Sequence, residues 1–226
     1  MEKNDHSYNQ IKIFDGIIPN ELEELLYFLG YHLQTIQRKQ YIYHVGDQTD
    51  EFGIILNGEV RIENVDFWGN TSVIAHLSNG AIFAESYVLA KKPLSVDVIA
   101  QKTSDILFIS TQKLFQPVSM EQSVILGAKN TLIQNLLLAC SQKNLHLSHR
   151  IFHTSSKTIR GRVISYLSFI SKEKESAQFD IPFNRQQLAD YLNVDRSALS
   201  HELSKMQKDG LITMNKNHFL LNDKVM

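Results

Sequence analysis

The sequence predicts an α+β protein with an N-terminal β-roll, a long helix and a C-terminal winged helix-turn-helix. Three observations lead to this fold class. Between about 36 and 110, six short apolar runs alternate with turn signals, as in a double-stranded β-helix or jelly-roll. From about 120 to 149 the apolar residues repeat at helical spacing. Residues 184–211 then hold two short amphipathic helices joined by three residues, the pattern of a helix-turn-helix.

Charge is unevenly distributed along the 226 residues. Residues 1–149 carry 11 Lys+Arg and 16 Asp+Glu, a net charge of −5, whereas residues 150–226 carry 12 and 8, a net charge of +4. This asymmetry predicts two modules, of which only the second faces a polyanion. The polar N-terminus and the interrupted apolar stretches predict no signal peptide and no membrane span. The single cysteine, Cys140, cannot form an internal disulfide, which fits the cytoplasmic protein that we expect.

The N-terminal region begins with a predicted helix and continues as strands. Residues 19–35 place four leucines on one helical face, after Pro19 and with acidic residues in the first turn. The strands that follow are separated by Gly46-Asp47, Asn57-Gly58, Gly69-Asn70 and Asn79-Gly80, pairs that favour tight turns. We therefore expect a β-roll domain in residues 1–119.

The predicted long helix, residues 120–152, carries two apolar stripes. One contains Ile125, Leu132, Leu136 and Ala139, and the next contains Leu126, Ile133, Leu137 and Cys140. Such a wide apolar band is suited to face both its own roll and a second copy of the helix, although burial against its own chain alone is the alternative. The polar segment 153–157 is predicted as a hinge, with Ser155 or Ser156 capping a helix over 157–173.

The helix-turn-helix prediction for residues 153–226 depends on local capping signals. Asn184 is the expected N-cap of the first helix, Asn193 the left-handed residue that ends it, and Asp195 the N-cap of the second. Gly210 ends the second helix, and a two-stranded wing follows around residues 215–217. Leu188, Ala189, Leu192, Leu199, Leu203 and Met206 are the expected buried positions.

In such a motif the start of the second helix enters the major groove of DNA. The candidate base-reading residues are Arg196, Ser197, Ser200 and His201. Arg196 has the fork that binds guanine through two hydrogen bonds, whereas a serine hydroxyl both donates and accepts. The candidates for phosphate contacts are Arg185, Gln186, Lys205, Lys208 and Lys216. The alternative is a helical hairpin whose charges are simply solvated.

The order of parts resembles the cyclic-AMP receptor / fumarate-nitrate regulator (Crp/Fnr) family of bacterial transcription factors. The resemblance runs from about residue 20 onward, is most specific in "FNRQQLADYLNVDRSALSHELSKMQKDGLI", and is supported by "GDQTDEFGIILNGEVRI". It implies a homodimer paired through the long helix, two recognition helices on a pseudo-palindromic operator, and a signal read by the roll. RNA polymerase is a further implied partner if the protein activates transcription.

The resemblance also locates an effector pocket. Cyclic-nucleotide-binding members carry a Gly-Glu pair followed about ten residues later by Arg and Ser or Thr; the corresponding positions here are Ala84-Glu85, with Ser86 next, and Leu94-Ser95. Because Leu94 replaces the phosphate-binding arginine, we expect an unidentified small effector other than cyclic AMP. The lysines at 91 and 92 are poor substitutes for that arginine. The alternative is a roll that serves mainly as a scaffold, with Glu85 a surface carboxylate.

Metal, haem and redox sensing are alternatives within the same fold. His146, His149 and His153 share one helical face at a spacing that metal and haem sites use, but the polar residues around them indicate a solvated helix end. Cys140 lies on an apolar stripe, which favours a packing role. His44 and His76 are isolated in predicted strands. A cupin-like metal enzyme needs a His-x-His cluster that residues 40–110 do not contain, so we expect no catalytic residues, no metal and no cofactor.

Overall fold

The computed structural model describes Tyr8, residues 11–117 and residues 123–222, with the side chains of 123 and 124 not described. The chain divides into two compact units between Cys140 and Ser141. This division falls within one continuous helix, Ser123–Thr154. The predicted start of that helix at residue 120 lies outside the described residues.

The first unit is a roll of two four-stranded antiparallel sheets, ordered β1-β8-β3-β6 and β2-β7-β4-β5. The strands are β1 His32–Ile36, β2 Tyr41–Tyr43, β3 Glu51–Asn57, β4 Glu59–Val65, β5 Thr71–Ser78, β6 Ile82–Phe83, β7 Asp97–Ala100 and β8 Ser104–Ser110. Side chains from both sheets form one buried cluster that includes Ile55, Val60, Phe83, Val98 and Phe108. The predicted β-roll is therefore confirmed.

Helices pack against the strands of the roll. They are a short 3-10 turn Lys12–Phe14, α1 Pro19–Leu29, α2 Glu85–Ala90, α3 Thr111–Leu114 and the first half of α4, Ser123–Thr154. A second buried cluster joins α1, strands β3 and β8, and one stripe of α4. Ile125, Leu132 and Leu136 of that stripe are buried, as the first predicted stripe requires.

The prediction of one helix over residues 19–35 is wrong beyond residue 29, where α1 ends. Gly30 adopts φ 70°, a left-handed conformation that ends α1, and its backbone N–H bonds back to Leu26 and Tyr27. Residues 32–36 instead form β1, which pairs with β8 from His32 opposite Phe108 to Ile36 opposite Ser104. The helical leucine pattern stops at Leu29, and Gly30 is the one feature of the sequence that indicates the end of the helix before β1.

The second unit packs four helical segments around a three-stranded sheet. It contains residues 141–154 of α4, then α5 Ile159–Glu173, β9 Gln178–Asp180, α6 Arg185–Leu192, α7 Arg196–Lys208, β10 Ile212–Asn215 and β11 His218–Leu221. The predicted two-stranded wing is β10 and β11, and β9 adds a third strand beside β11. No helix in the described part of the chain is long and apolar enough to cross a membrane.

The segment between α4 and α5 differs from the prediction. Helix α4 continues through Thr154, so the first two residues of the predicted hinge are helical. The cap of α5 is Thr158, whose side chain accepts from Gly161 N at 3.0 Å, and not Ser155 or Ser156. Four capping-type residues, Thr154, Ser155, Ser156 and Thr158, lie within five positions here, and sequence alone did not distinguish which one begins the helix.

Candidate DNA-reading site and effector region

The turn between α6 and α7 is built from local hydrogen bonds. Asn184 and Gln187 form a reciprocal capping box at the start of α6, with distances of 2.9 and 2.8 Å. Asn193 takes the left-handed conformation at φ 53°, and Asp195 accepts from Ala198 N at 2.9 Å to begin α7. Hydrogen bonds from Ser197 and Ala198 hold the pKa of Asp195 below its usual value. The three predicted caps are thus confirmed.

The two helices of the motif cross over a common core. Leu188, Ala189 and Leu192 of α6 and Leu199, Leu203 and Met206 of α7 are all buried. Ala189 has no exposed surface, and its small side chain allows the close approach of the helices that the sequence pattern indicates. The opposite face of α7 is left to solvent.

That solvent-facing side contains the predicted base-reading residues. Arg196 and His201 are exposed, and Lys205 extends the same face one turn further along. The two serines are bonded within their own helix: Ser197 Oγ donates to Asp195 Oδ1 at 2.5 Å, and Ser200 Oγ donates to the Arg196 carbonyl at 2.9 Å. Arg196 and His201 are therefore the side chains most readily available to a base edge.

The predicted phosphate-binding residues fall into two groups. Lys205, Lys208 and Lys216 are exposed. Arg185 is half-buried, with Nη2 3.4 Å from the Lys216 carbonyl and 3.6 Å from Met214 Sδ, so it joins α6 to the wing; burial lowers its pKa. Gln186 is exposed and donates from Nε2 to Asp190 Oδ1 at 2.8 Å.

Three further arginines position the motif, and sequence reasoning missed them. Arg162 Nη1 donates to the carbonyls of Leu192 and Asn193 at 3.0 and 2.8 Å. Arg150, near the end of α4, donates from Nε to the Tyr191 carbonyl at 3.0 Å and from Nη2 to the Asp190 carbonyl at 2.9 Å. The last carbonyls of α6, which have no partner within the helix, are thereby satisfied.

The third arginine, Arg160 of α5, forms ion pairs with two acidic residues of the α7 region. It contacts Glu202 at 2.5 Å and Asp209 at 2.7 Å, one residue within α7 and one at its C-terminal cap. The hydrogen bond with Glu202, followed by that with Asp209, raises the pKa of Arg160. Glu202 and Asp209 lie 42 and 49 residues from Arg160 in the sequence, beyond the reach of local pattern reasoning.

In the first unit, the predicted effector residues surround α2. Glu85 is only 3% exposed, so the interpretation of it as a surface carboxylate is wrong. Ser86 Oγ lies 3.3 Å from Glu85 Oε1, and Ser95 Oγ lies 2.7 Å from the Tyr87 hydroxyl. Leu94 is buried in the cluster between the two sheets. The side chain at this position is therefore apolar and buried.

Ala84 has the backbone conformation that favours glycine. It adopts φ 65°, the left-handed region that favours glycine, immediately before α2. Lys91 also has a positive φ, and both Lys91 and Lys92 line an open cleft of about 600 Å³ beyond the other end of α2. Its remaining lining includes Asp50, Leu89 and Phe115.

The histidines do not form a metal site in the described part of the chain, where no group of three or more His, Cys, Asp or Glu is placed to hold an ion. His146 and His149 contact the rings of Tyr191 and Phe169, with centroid distances of 5.8 and 4.6 Å. His153 is fully buried, so the prediction that it lies in a solvated helix end is wrong. Burial, and secondarily His149, lower the pKa of His153.

The isolated histidines and the cysteine have ordinary surroundings. His44 lies one residue beyond β2, stacks on Tyr41 at 4.2 Å and is exposed, and His76 is exposed on β5. Cys140 is partly buried against the core of the first unit, as expected for a packing role.

Comparison with known proteins agrees with this architecture. A family model for the cyclic nucleotide-binding domain matches residues 33–119, and a model for the Crp-like helix-turn-helix domain matches residues 161–224. Together with the fold, these matches define a transcription regulator that joins an effector-type β-roll to a DNA-binding helix-turn-helix. The chain belongs to the Crp/Fnr family.

Individual relatives are distant. The transcriptional activator protein FnrL of Cereibacter sphaeroides is 21% identical over 215 residues, which is 89% of this chain and 79% of FnrL. Among solved structures, OCPA-complexed CprK is similar with a TM-score of 0.62 at 9% identity, covering 89% of this chain and 88% of CprK. The c-di-GMP-responsive global regulator CLP of Xanthomonas campestris has a TM-score of 0.54 at 17% identity, covering 91% and 99%. At these identities the structural likeness shows the fold.

Proposed function

We propose that this regulator is a homodimer that reads a pseudo-palindromic operator under the control of a small molecule bound in the roll. Residues 1–119 would sense the effector, residues 120–152 would pair the two copies, and residues 153–226 would bind DNA. If the protein activates transcription, RNA polymerase is its further partner. The observation that carries the proposal is an apolar seam on α4 that includes the exposed Leu126 and Leu137.

The seam follows a heptad repeat. Leu126, Ile133, Cys140 and Leu147 are seven residues apart, and Leu137 and Ile151 fall at the complementary positions four residues after Ile133 and Leu147. Leu126 and Leu137 are 47% and 67% exposed, although the stripe beside them is buried. Residues spaced three and four apart on one helix form the contact of a two-stranded coiled coil. A second copy of α4 is therefore the natural cover for this face.

Disulfide cross-linking tests the pairing. In a Cys140→Ser background, Leu137→Cys places a thiol on the seam and is expected to give a covalent dimer under mild oxidation. Gln134→Cys is the matched control, since Gln134 is exposed on the same helix but outside the seam. Equal cross-linking of the two variants, or none from Leu137→Cys, would count against pairing through α4.

A dimer would also compensate for the weak DNA binding expected of a single helix-turn-helix. Each α7 offers Arg196 and His201 to the bases, and the exposed lysines Lys205, Lys208 and Lys216 surround them. Two such readers related by a twofold axis would bind half-sites about one helical turn apart, and linking the two sites multiplies their affinities. The pseudo-palindrome follows from the symmetry of the protein.

The proposed effector is not a cyclic nucleotide. A buried phosphate needs a charged partner, and the buried Leu94 gives none at the family's arginine position. The fold also accepts ligands of other kinds, since CprK is found with OCPA. The effector here is therefore proposed to be a different small molecule.

Thermal denaturation with cyclic AMP tests this exclusion. A ligand present at about 100 times its Kd stabilises a protein by about 2.7 kcal/mol, which is readily seen as a shift in Tm. We expect no shift of Tm with cyclic AMP or cyclic GMP. A clear, saturable shift with either nucleotide would overturn the exclusion but would leave the DNA-binding role intact.

A further inference from the structure

The last turns of α4 are built into the DNA-reading unit. Arg150 binds two of the final carbonyls of α6, and its guanidinium carbon lies 6.0 Å from the centre of the Tyr191 ring. One turn further on, His153 is buried among side chains of α5 and α6. Arg150 and His153 therefore attach residues 141–154 to the helix-turn-helix, in addition to the ring contacts of His146 with Tyr191 and of His149 with Phe169.

The surroundings of His153 are aromatic. Its ring centroid lies 5.6 Å from that of Tyr166, 5.1 Å from Phe169 and 6.1 Å from Tyr191. Nδ1 lies 3.1 Å from Ser165 Oγ, while Nε2 is buried and has no hydrogen-bond partner among the described residues. A neutral imidazole fits this environment, but a protonated ring would bury an N–H donor that nothing nearby accepts.

The charged and titratable groups around this ring offer the imidazolium no counter-ion. From α4 the neighbour is His149, with a centroid distance of 6.5 Å, which disfavours another positive charge. The guanidinium of Arg150, three residues earlier on the helix, is bonded to the carbonyls of α6. From α5 and α6 they are the hydroxyls of Tyr166 and Tyr191, whose own pKa values burial raises. Of the acids on these helices, Glu173 is exposed, and Asp190 Oδ1 accepts a hydrogen bond from Gln186 Nε2.

We propose that residues 141–154 are a pH-sensitive latch, closed on the helix-turn-helix when His153 is neutral and opened when His153 is protonated. Opening would also withdraw Arg150 from the α6 carbonyls that precede the turn, so the latch would control how firmly α7 is held for reading DNA. Only this last consequence rests on the proposed DNA-binding function. The latch itself is a property of the second unit.

The direction and size of the effect follow from proton linkage. An exposed histidine has a pKa of about 6.5, and the buried ring has a lower one, so the closed state binds fewer protons than the open state. The latch is therefore fully stable above about pH 6.5 and weakens as the pH falls below it. If His153 is protonated only in the open state of the latch, lowering the pH from about 7.5 to about 5.5 increases the equilibrium constant for opening by about tenfold.

Hydrogen exchange on the full-length protein tests the latch without DNA. After correction for the intrinsic pH dependence of exchange, the amides of residues 141–154 are expected to open about tenfold more at pH ~5.5 than at pH ~7.5. His153→Phe keeps an aromatic ring and should abolish this dependence, whereas the exposed neighbour changed as His146→Gln should retain it. A pH dependence that survives in His153→Phe, or is absent from the wild type, overturns the proposal.

Imidazole resonances of the unmodified protein provide a second measurement if His153→Phe does not fold. The His153 ring should titrate with a pKa below about 6.5. A pKa at or above that value would mean that the closed state accommodates the proton, and the proposal would fail. Because neither measurement involves DNA, failure of the latch is distinguishable from failure of the DNA-binding proposal.

Discussion

Replacing Arg196 with alanine is expected to remove base reading while leaving the fold intact. Arg196 is the first residue of α7, directly after its cap Asp195, and its side chain is exposed. Exposed substitutions of this kind usually change stability by no more than about 0.5 kcal/mol. The buried stripe of α7 does not include it, so the recognition helix should remain in place.

The loss of affinity follows from the geometry of arginine and guanine. A bidentate arginine–guanine contact contributes about 1–3 kcal/mol of discrimination, and a dimer makes it twice. The expected loss is therefore about 2–6 kcal/mol on a symmetric operator, which is about 30-fold to 10⁴-fold in Kd. Binding to unrelated DNA should change far less, since that binding depends on phosphate contacts.

Fluorescence anisotropy at fixed salt concentration measures both quantities, using an operator selected from random DNA and a scrambled duplex of the same length. Lys208→Ala is the matched control: Lys208 is exposed at the other end of α7 and is expected to weaken both duplexes alike. If Arg196→Ala weakened the operator and the scrambled duplex equally, with stability unchanged, the assignment of the reading face would be refuted.

Three further predictions concern particular residues. His201→Arg should tighten operator binding or narrow the base preference at one position of each half-site, because an imidazole cannot make the double hydrogen bond of a guanidinium; repeating the selection with this variant checks it. Thr158→Ala should cost the second unit about 1 kcal/mol, seen as a lower Tm by about 4–8 °C, since it removes the cap of α5. Gly53→Ala should destabilise the roll by about 1–3 kcal/mol in denaturant unfolding, because the added Cβ would lie 2.1 Å from Phe83 Cζ.

The helix-turn-helix was predictable from sequence because its boundaries are set locally. Asn184, Asn193 and Asp195 each bond to backbone within a few residues, so the residue type at each position is nearly sufficient. The apolar stripes of α4 were likewise predictable, since periodicity reports directly on which face is buried.

The errors arose where structure depends on distant contacts. Strand β9 has only three residues, and it is defined by its pairing with the distant strand β11, where Phe179 lies opposite Phe219. The burial of His153 depends on Tyr166 and Phe169, which local polarity did not reveal. The arginines that hold the motif, Arg150 and Arg162, likewise find their partners 30 to 41 residues away.

Selection of bound sequences from random DNA tests the central claim most directly. A dimeric reader with one α7 per half-site predicts enrichment of two inverted half-sites whose centres lie about 10–10.5 base pairs apart, or a multiple of that spacing. The base pair that Arg196 reads should be the same in both half-sites of the enriched motif. Enrichment of a single unrepeated half-site, or of no sequence at all, would contradict the account.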